Sequence, residues 1–142
     1  MSSDNNIATV YEVLTARLRT GLPTGFTASK VKFPNAKFET QSDKWLRVTM
    51  QTTAIDELDA SGACELIIGR YIIDVFYQKE TGIKAALVTA QDIKNRYNGY
   101  KADDVVITRV ELVPRGEDGN WFAVQVIVNY EYQSYDSTLS GV

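Results

Sequence analysis

The sequence has no histidine and a single cysteine, Cys64, among its 142 residues. Without histidine, the chain has no Ser-His-Asp or Cys-His nucleophile, no histidine metal site and no histidine pH switch. One cysteine excludes an intramolecular disulfide, a Cys-x-x-Cys redox pair and a cysteine-based zinc site. Most of the common catalytic and metal-binding arrangements are therefore excluded.

Basic charge and long apolar runs are also scarce. Lysine and arginine total 15 against 18 acidic residues, a net charge of −3, whereas free-standing nucleic-acid-binding domains are usually basic. The segment Met1–Asn6 lacks the basic and apolar regions of a signal peptide. No apolar run approaches the ~18 residues of a membrane span. We expect a soluble, cytosolic chain with no membrane partner.

Motifs that carry chemistry are missing as well. The sequence contains no Walker A loop, no G-x-G-x-x-G fingerprint and no G-x-S-x-G elbow. The acidic segment 56–59 lacks the spacing of a calcium-binding loop. We therefore predict no catalytic residue, no cofactor, no metal site and no enzymatic activity.

Asp74 is the acidic residue whose surroundings are most unusual, because it interrupts the longest apolar run, Tyr71–Tyr77. Its side chain shares a strand face with that of Arg70, so the conservative interpretation is a partly buried ion pair between the two. The alternative interpretation is a general acid with a raised pKa.

The composition is that of an ordinary globular domain, with 44% hydrophobic and 23% charged residues. We expect residues 1–142 to form a single domain. Apolar residues at helical spacing, from Ile7 to Leu18, predict a first helix that ends at Gly21. A second helix is predicted over Ile83–Tyr97, with Ile83 on its buried face.

Alternating segments predict five strands, and hairpin-length connections predict mainly antiparallel pairing. Thr52–Ala63 is predicted to be an exposed loop and Pro114–Asn120 a hairpin loop. The expected fold class is α+β, a mainly antiparallel β-sheet with two helices packed on it in the order α-β-β-β-α-β-β. The predicted strands are Lys30–Phe33, Trp45–Gln51, Cys64–Lys79, Asp103–Val113 and Trp121–Tyr132.

The succession of segments resembles the tail terminator (tail completion) proteins of long-tailed bacteriophages. The first helix ends in TGLP (20–23), and FPNAKF (33–38) and WLRVTM (45–50) are the closest local matches, followed by GRYIIDVFY (69–77). The resemblance spans roughly residues 5 to 132. It implies a structural protein of the virion tail, assembled in the host bacterial cytoplasm, with no catalysis and no cofactor.

The resemblance further implies a ring, expected to be a hexamer, that caps the tail tube, stops its polymerisation and joins it to the head connector or neck protein. A heterologous contact that closes into a ring halts growth, which agrees with this role. DNA contact in the lumen is left open. Residues that contact neighbouring subunits or the tube are expected in the long loop and the hairpin loop. They are Thr52, Thr53, Ala54, Ile55, Asp56, Glu57, Leu58, Asp59, Arg115, Glu117 and Asp118.

Two alternatives stand beside the terminator hypothesis. One is another neck or tail-tube component with a similar small α+β fold. The other is a monomeric binding module or small hydrolase that uses Asp74 and the 56–59 segment. A stable hexamer favours the phage hypotheses, whereas a monomer with measurable affinity for a small molecule favours the last one.

Overall fold

The computed structural model describes residues 6–39, 41–57, 64–81 and 83–135. Within these ranges two helices and six strands follow one another, with 3-10 turns at Ala28–Lys30 and Lys79–Thr81. No helix within these ranges is long and apolar enough to cross a lipid bilayer. The elements are α1 (Asn6–Thr20), β1 (Val31–Lys32), β2 (Lys44–Glu57), β3 (Cys64–Gln78), α2 (Ile83–Tyr97), β4 (Lys101–Ala102), β5 (Val105–Asp118) and β6 (Trp121–Tyr135).

The six strands form one sheet in the order β1-β2-β3-β6-β5-β4. Every pair is antiparallel except β1 with β2, which is parallel. The predicted α+β class is confirmed, and the short strand β4 is the one addition to the predicted order. The four long strands lie at the centre, and two-residue strands, β1 and β4, lie at the two sides.

Both helices pack on the same face of the sheet. In α1, Val10, Leu14 and Leu18 are fully buried, as their helical spacing predicts. The Tyr97 hydroxyl at the end of α2 donates a hydrogen bond of 2.6 Å to the Leu14 carbonyl. The Arg17 guanidinium donates to the Arg96 carbonyl and so satisfies a backbone group at the end of α2.

The first residue of each apolar stripe does not reach the core. Ile83 is 50% exposed, so its predicted placement on the buried face of α2 is wrong, and Ile7, the first apolar residue of α1, is 42% exposed. Both residues lie in the first turn of their helices. The bounds predicted for the second helix are confirmed.

Three strands are longer than the sequence indicates, and one of them, β6, ends at Tyr135 and not at Tyr132. β2 continues to Glu57, so residues 52–57 are strand and not loop, because they pair with residues 65–69 of β3. β5 continues to Asp118 past Pro114, since a register shift between Pro114 and Gly116 carries the strand around the proline. Gly116 supports this irregularity with a φ of 84°.

Gly69 marks a point where three strands approach one another closely. A Cβ at this position would collide with the Gln51 carbonyl oxygen and the Tyr130 hydroxyl. The Tyr130 side chain lies across Gly69 and donates a hydrogen bond of 3.3 Å to the Gln51 carbonyl. The register of β2 shifts directly afterwards, between Thr52 and Ala54, so the glycine permits the bulge that redirects the end of β2.

Candidate assembly surface

The face of the sheet opposite the helices carries a mixture of polar and apolar side chains. We call it the open face, because no helix of the described ranges lies on it. Ile72, Phe76, Ala123 and Ile127 belong to it and are at most 9% exposed, yet none of them joins the core beneath the helices. Their burial therefore comes from neighbouring side chains on the same face, such as Trp45 and Arg47 over Phe76.

Asp74 lies on this face, and both of its carboxylate oxygens accept hydrogen bonds. Its Oδ2 accepts hydrogen bonds of 3.2 and 3.0 Å from Nε and Nη2 of Arg47 on β2. Its Oδ1 accepts one of 3.0 Å from Nε2 of Gln125 on β6. The predicted ion pair exists, but the predicted partner is wrong, because Arg47 lies directly across the strand pair from Asp74. Arg70 is four residues along the same strand.

Arg70 instead lies in a second polar row. Its Nη2 donates a hydrogen bond of 2.9 Å to the Gln51 side chain, and its Nε is buried with no hydrogen-bond partner in the structure. On the other side, the Asn129 amide donates to Glu111, and Arg109 pairs with Glu111 at 3.1 Å. The bond from Asn129 and the Arg109 guanidinium hold the pKa of the Glu111 carboxyl below its usual range.

Four aromatic rings form a cluster at one end of the open face, which we call the aromatic corner. Trp45 stacks on Phe76 with ring centroids 4.2 Å apart, and Trp121 meets Trp45 edge-on at 6.1 Å. Phe38 covers the other side of Trp45 at 5.3 Å. The Arg47 guanidinium lies 5.0 Å above the Phe76 ring, so the corner adjoins the Asp74 ion pair.

The end of the β5–β6 hairpin borders the same region. Arg115, Glu117 and Asp118 lie in strand β5 and not in the predicted hairpin loop. Together with Arg47 and Asp74 they line a polar cleft of about 300 Å³. Glu117 also lies 3.6 Å from the Lys79 ammonium group. The three predicted contact residues are thus neighbours of the ion pair at one end of the open face.

Those of the other predicted contact residues that the structure describes lie at the opposite end of the sheet. Thr52 pairs with Gly69 and Glu57 with Glu65, far along the strands from the hairpin end. Thr52 and Thr53 are exposed. Ala54, Ile55, Asp56 and Glu57 belong to β2, while Leu58 and Asp59 lie outside the described residues. The structure therefore separates the predicted contact residues into two groups and does not bring them together.

Both sides of the sheet leave long stretches of strand unpaired within the described residues. β1 pairs only with Leu46 and Arg47, so β2 has no neighbouring strand on its outer side from Val48 onward. On the other side, β4 pairs only with Val105 and Val106, and the Tyr100 carbonyl accepts one further bond from the Ile107 amide. The rest of β5 has no strand on its outer side.

Sequence reasoning missed Arg47, Gln125 and the aromatic corner. Alternation does place Arg47 and Trp45 on one face of the predicted strand 45–51. Their partners, however, come from β3 and β6, and the choice of partner depends on the register between strands. No pattern within a single strand carries that information.

The polar side chains of this surface are largely engaged with one another in hydrogen bonds and ion pairs. Among the described residues, no group of three or more Cys, Asp or Glu side chains is placed to hold a metal ion. The Asp74 carboxylate accepts three hydrogen bonds, two from the Arg47 guanidinium and one from the Gln125 amide, so both of its oxygens are engaged in contacts within the sheet.

Comparison with known proteins agrees with the phage resemblance. Residues 9–130 match the sequence model of a family described as "Phage tail terminator protein". The chain belongs to the phage tail terminator family. No curated protein matches the sequence. One solved structure superposes with a TM-score of 0.68 at 19% identity, over 96% of this chain and 99% of the other, and shows a shared fold.

Membership of the tail terminator family gives the chain a structural role in the tail of a bacteriophage virion. The family consists of structural virion proteins and is not known for enzymatic activity. The open face, the hairpin end and the unpaired strand edges are therefore the candidate contact surfaces of the chain.

Proposed function

We propose that this tail terminator protein acts as a single domain that forms a closed ring, a hexamer, on the end of the tail tube. The ring stops tube polymerisation and provides the joint to the head connector or neck protein, and it does so without catalysis. The family match over residues 9–130 is the observation that carries this proposal. The unpaired outer sides of β2 and β5 support it, because a ring subunit needs two different contact surfaces.

The two groups of predicted contact residues suit two different axial partners. Residues 52–57 and residues 115–118 belong to opposite ends of the long strands, so one ring can present one group toward the tube and the other toward the connector. Charge reversal of Glu117 and Asp118 to lysine tests one end, and charge reversal of Asp56 and Glu57 tests the other. Each double variant is expected to lose one axial partner and keep the second.

Native mass spectrometry of the purified chain, alone and with tail-tube protein, tests the ring itself. The expected result is a six-fold mass that associates with tube ends and limits tube length. A chain that stays monomeric in both samples and never associates with tube ends would refute the proposal. A ring of another subunit number would correct the stoichiometry and leave the capping role in place.

A further inference from the structure

We propose that neighbouring copies join edge to edge, so that the outer side of β2 in one copy pairs with the outer side of β5 in the next. This inference rests on the ring of the proposed function and specifies its contact. The two segments involved are Val48–Thr52, which we call the β2 edge stretch, and Arg109–Val113, which we call the β5 edge stretch.

The β2 edge stretch lacks the charge, the proline and the internal bulge that often protect a free strand edge, and its residues Val48–Met50 border an open cleft shared with the turn at Phe33–Asn35. Its sequence, Val-Thr-Met-Gln-Thr, contains no charge and no proline and is rich in β-branched residues. Exposed edges of this kind pair with other chains unless they are charged, bent or covered. Its only bend, the register shift between Thr52 and Ala54, comes at its end. A strand from another molecule is the natural cover.

The β5 edge stretch is the matching regular segment on the opposite side of the sheet. Register shifts bound it on both sides, between Ile107 and Arg109 and between Pro114 and Gly116, and the pairing between them is continuous. Pro114 has no N–H and interrupts the edge at its far end. Pairing through β5 is therefore confined to Arg109–Val113.

The two stretches lie at the same level along the strand direction of the sheet. Gln51 pairs with Arg70, Arg70 with Asn129, and Asn129 with Arg109, so one row of partners crosses from the β2 edge to the β5 edge. The next row runs from Thr49 to Glu111 through Ile72 and Ile127. A copy placed beside the sheet at the same height brings the two stretches together.

Strand direction also suits this contact. β2, β3, β6 and β5 alternate in direction, so β5 runs opposite to β2. A copy related by rotation in a ring keeps its strand directions, and its β5 therefore meets β2 in the antiparallel sense. Because the two edges differ, the contact is heterologous, and each copy can repeat it until the ring closes. Closure removes every free edge, as it does in a β-barrel.

Disulfide cross-linking tests the pairing and reads its register. In a Cys64→Ser background, Gln51→Cys is combined in turn with Arg109→Cys, Glu111→Cys and Val113→Cys, all on the open face. Antiparallel partners lie about 4.5–5.5 Å apart at Cα, within the range that a disulfide spans. At least one combination is expected to form a ladder of multimers up to the full ring under oxidation and to return to monomer with reductant.

Matched controls distinguish the proposed contact from other partners that could pair with the β2 edge. The first control is an equal mixture of two single variants, Gln51→Cys and whichever β5 variant cross-links best, such as Arg109→Cys. Because each chain then carries one cysteine, cross-linking is expected to stop at dimers. The double variant Gln51→Cys with Asn129→Cys, an interior position in the same row, is expected to give no cross-linked species. Dimers from Gln51→Cys alone would show that β2 pairs with itself, and cross-links to tail-tube protein alone would assign the edge to that protein; either result overturns the inference.

Hydrogen exchange provides a second readout that needs no substitution. Amides of the β2 and β5 edge stretches are expected to gain protection together when rings form, while amides of 72–74 in the interior strand β3 stay protected throughout. Rings that form without this gain and without cross-links would overturn the edge pairing and leave the ring standing. A chain that remains monomeric with tube protein present would overturn both.

Discussion

The two faces of the sheet achieve burial in different ways. Beneath the helices, apolar side chains interlock, and the polar atoms among them are paired, such as the Thr15 and Tyr71 hydroxyls at 2.9 Å. On the open face, no described element covers the sheet, and apolar side chains are shielded by polar neighbours such as Arg47. The comparison teaches that low exposure alone does not identify a core.

Adjacent isoleucines on β3 give the sharpest test of this difference and the largest expected effect. Ile73, under the helices, is fully buried, and Ile72, on the open face, is 7% exposed. Ile73→Ala is expected to lower the free energy of unfolding by about 2–5 kcal/mol, because a cavity remains. Ile72→Ala is expected to cost about 1–2 kcal/mol, since neighbouring side chains and water can occupy the space.

Urea denaturation at a concentration where the chain is monomeric measures both changes. Equal losses for Ile73→Ala and Ile72→Ala would contradict the comparison, because they would show that the open face packs as tightly as the helix-covered face.

The Arg47–Asp74 pair tests how much the polar side chains of the open face contribute to the free energy of unfolding. Arg47→Met keeps an aliphatic chain near Phe76 but removes the guanidinium, leaving the buried Asp74 carboxylate with Gln125 alone. The free energy of unfolding is expected to fall by about 1–2 kcal/mol, toward the lower end of the range for buried charges because the Arg47 side chain is 44% exposed.

A double-mutant cycle with Asp74→Asn isolates this interaction. The double variant is expected to lose less stability than the sum of the two single variants, because a neutral amide no longer needs the guanidinium. Strict additivity would mean that Arg47 acts only through its packing on Phe76.

Buried tyrosines on the helix-covered face predict sensitivity to high pH. Burial raises the pKa of the Tyr97 and Tyr71 hydroxyls above the ordinary value of 10.0. Above pH ~10 the unfolded chain loses these protons while the folded chain keeps them, so stability is complete below that pH and falls as pH rises. Tyr97→Phe is expected to cost about 1 kcal/mol at pH 7, by losing the bond to Leu14, and to flatten the alkaline decline.

Fluorescence-detected urea unfolding between pH 7 and pH 11 follows this decline. An alkaline slope that is the same in Tyr97→Phe and the parent chain would show that Tyr97 does not contribute to it. Thr15→Val, which removes the partner of Tyr71 and leaves Tyr97 unchanged, serves as the comparison.

The elements that could be predicted from the sequence are those whose pattern is local. The bounds of α2 and the alternation along β6 follow from spacing alone, because one face of each is buried by the same core. Thr52–Ala63 was predicted to form a loop because most of its residues are small, acidic or glycine. Residues 52–57 instead pair with β3 as a strand, and three of them, Thr52, Thr53 and Ile55, are β-branched residues that favour strands. The Asp74 partner likewise depended on register across strands, which no single segment encodes.

The smallest expected effect concerns an ion pair away from both faces. Lys30 Nζ lies 2.8 Å from Asp43 Oδ1, and the Asp43 side chain is 58% exposed, so water screens the attraction. The hydrogen bond from Lys30 lowers the pKa of Asp43, so its stabilising effect is present above the ordinary carboxyl pKa and is lost as pH falls through the lowered value. Lys30→Met is expected to change the free energy of unfolding by less than about 1 kcal/mol at pH 7, and by less still at pH 2 or in concentrated salt.

The loss on Arg47→Met should persist in salt, because the Asp74 carboxylate is shielded from water. Equal salt sensitivity of the two variants, measured by urea midpoints with and without salt, would show that water screens the open face as it screens the surface around Lys30.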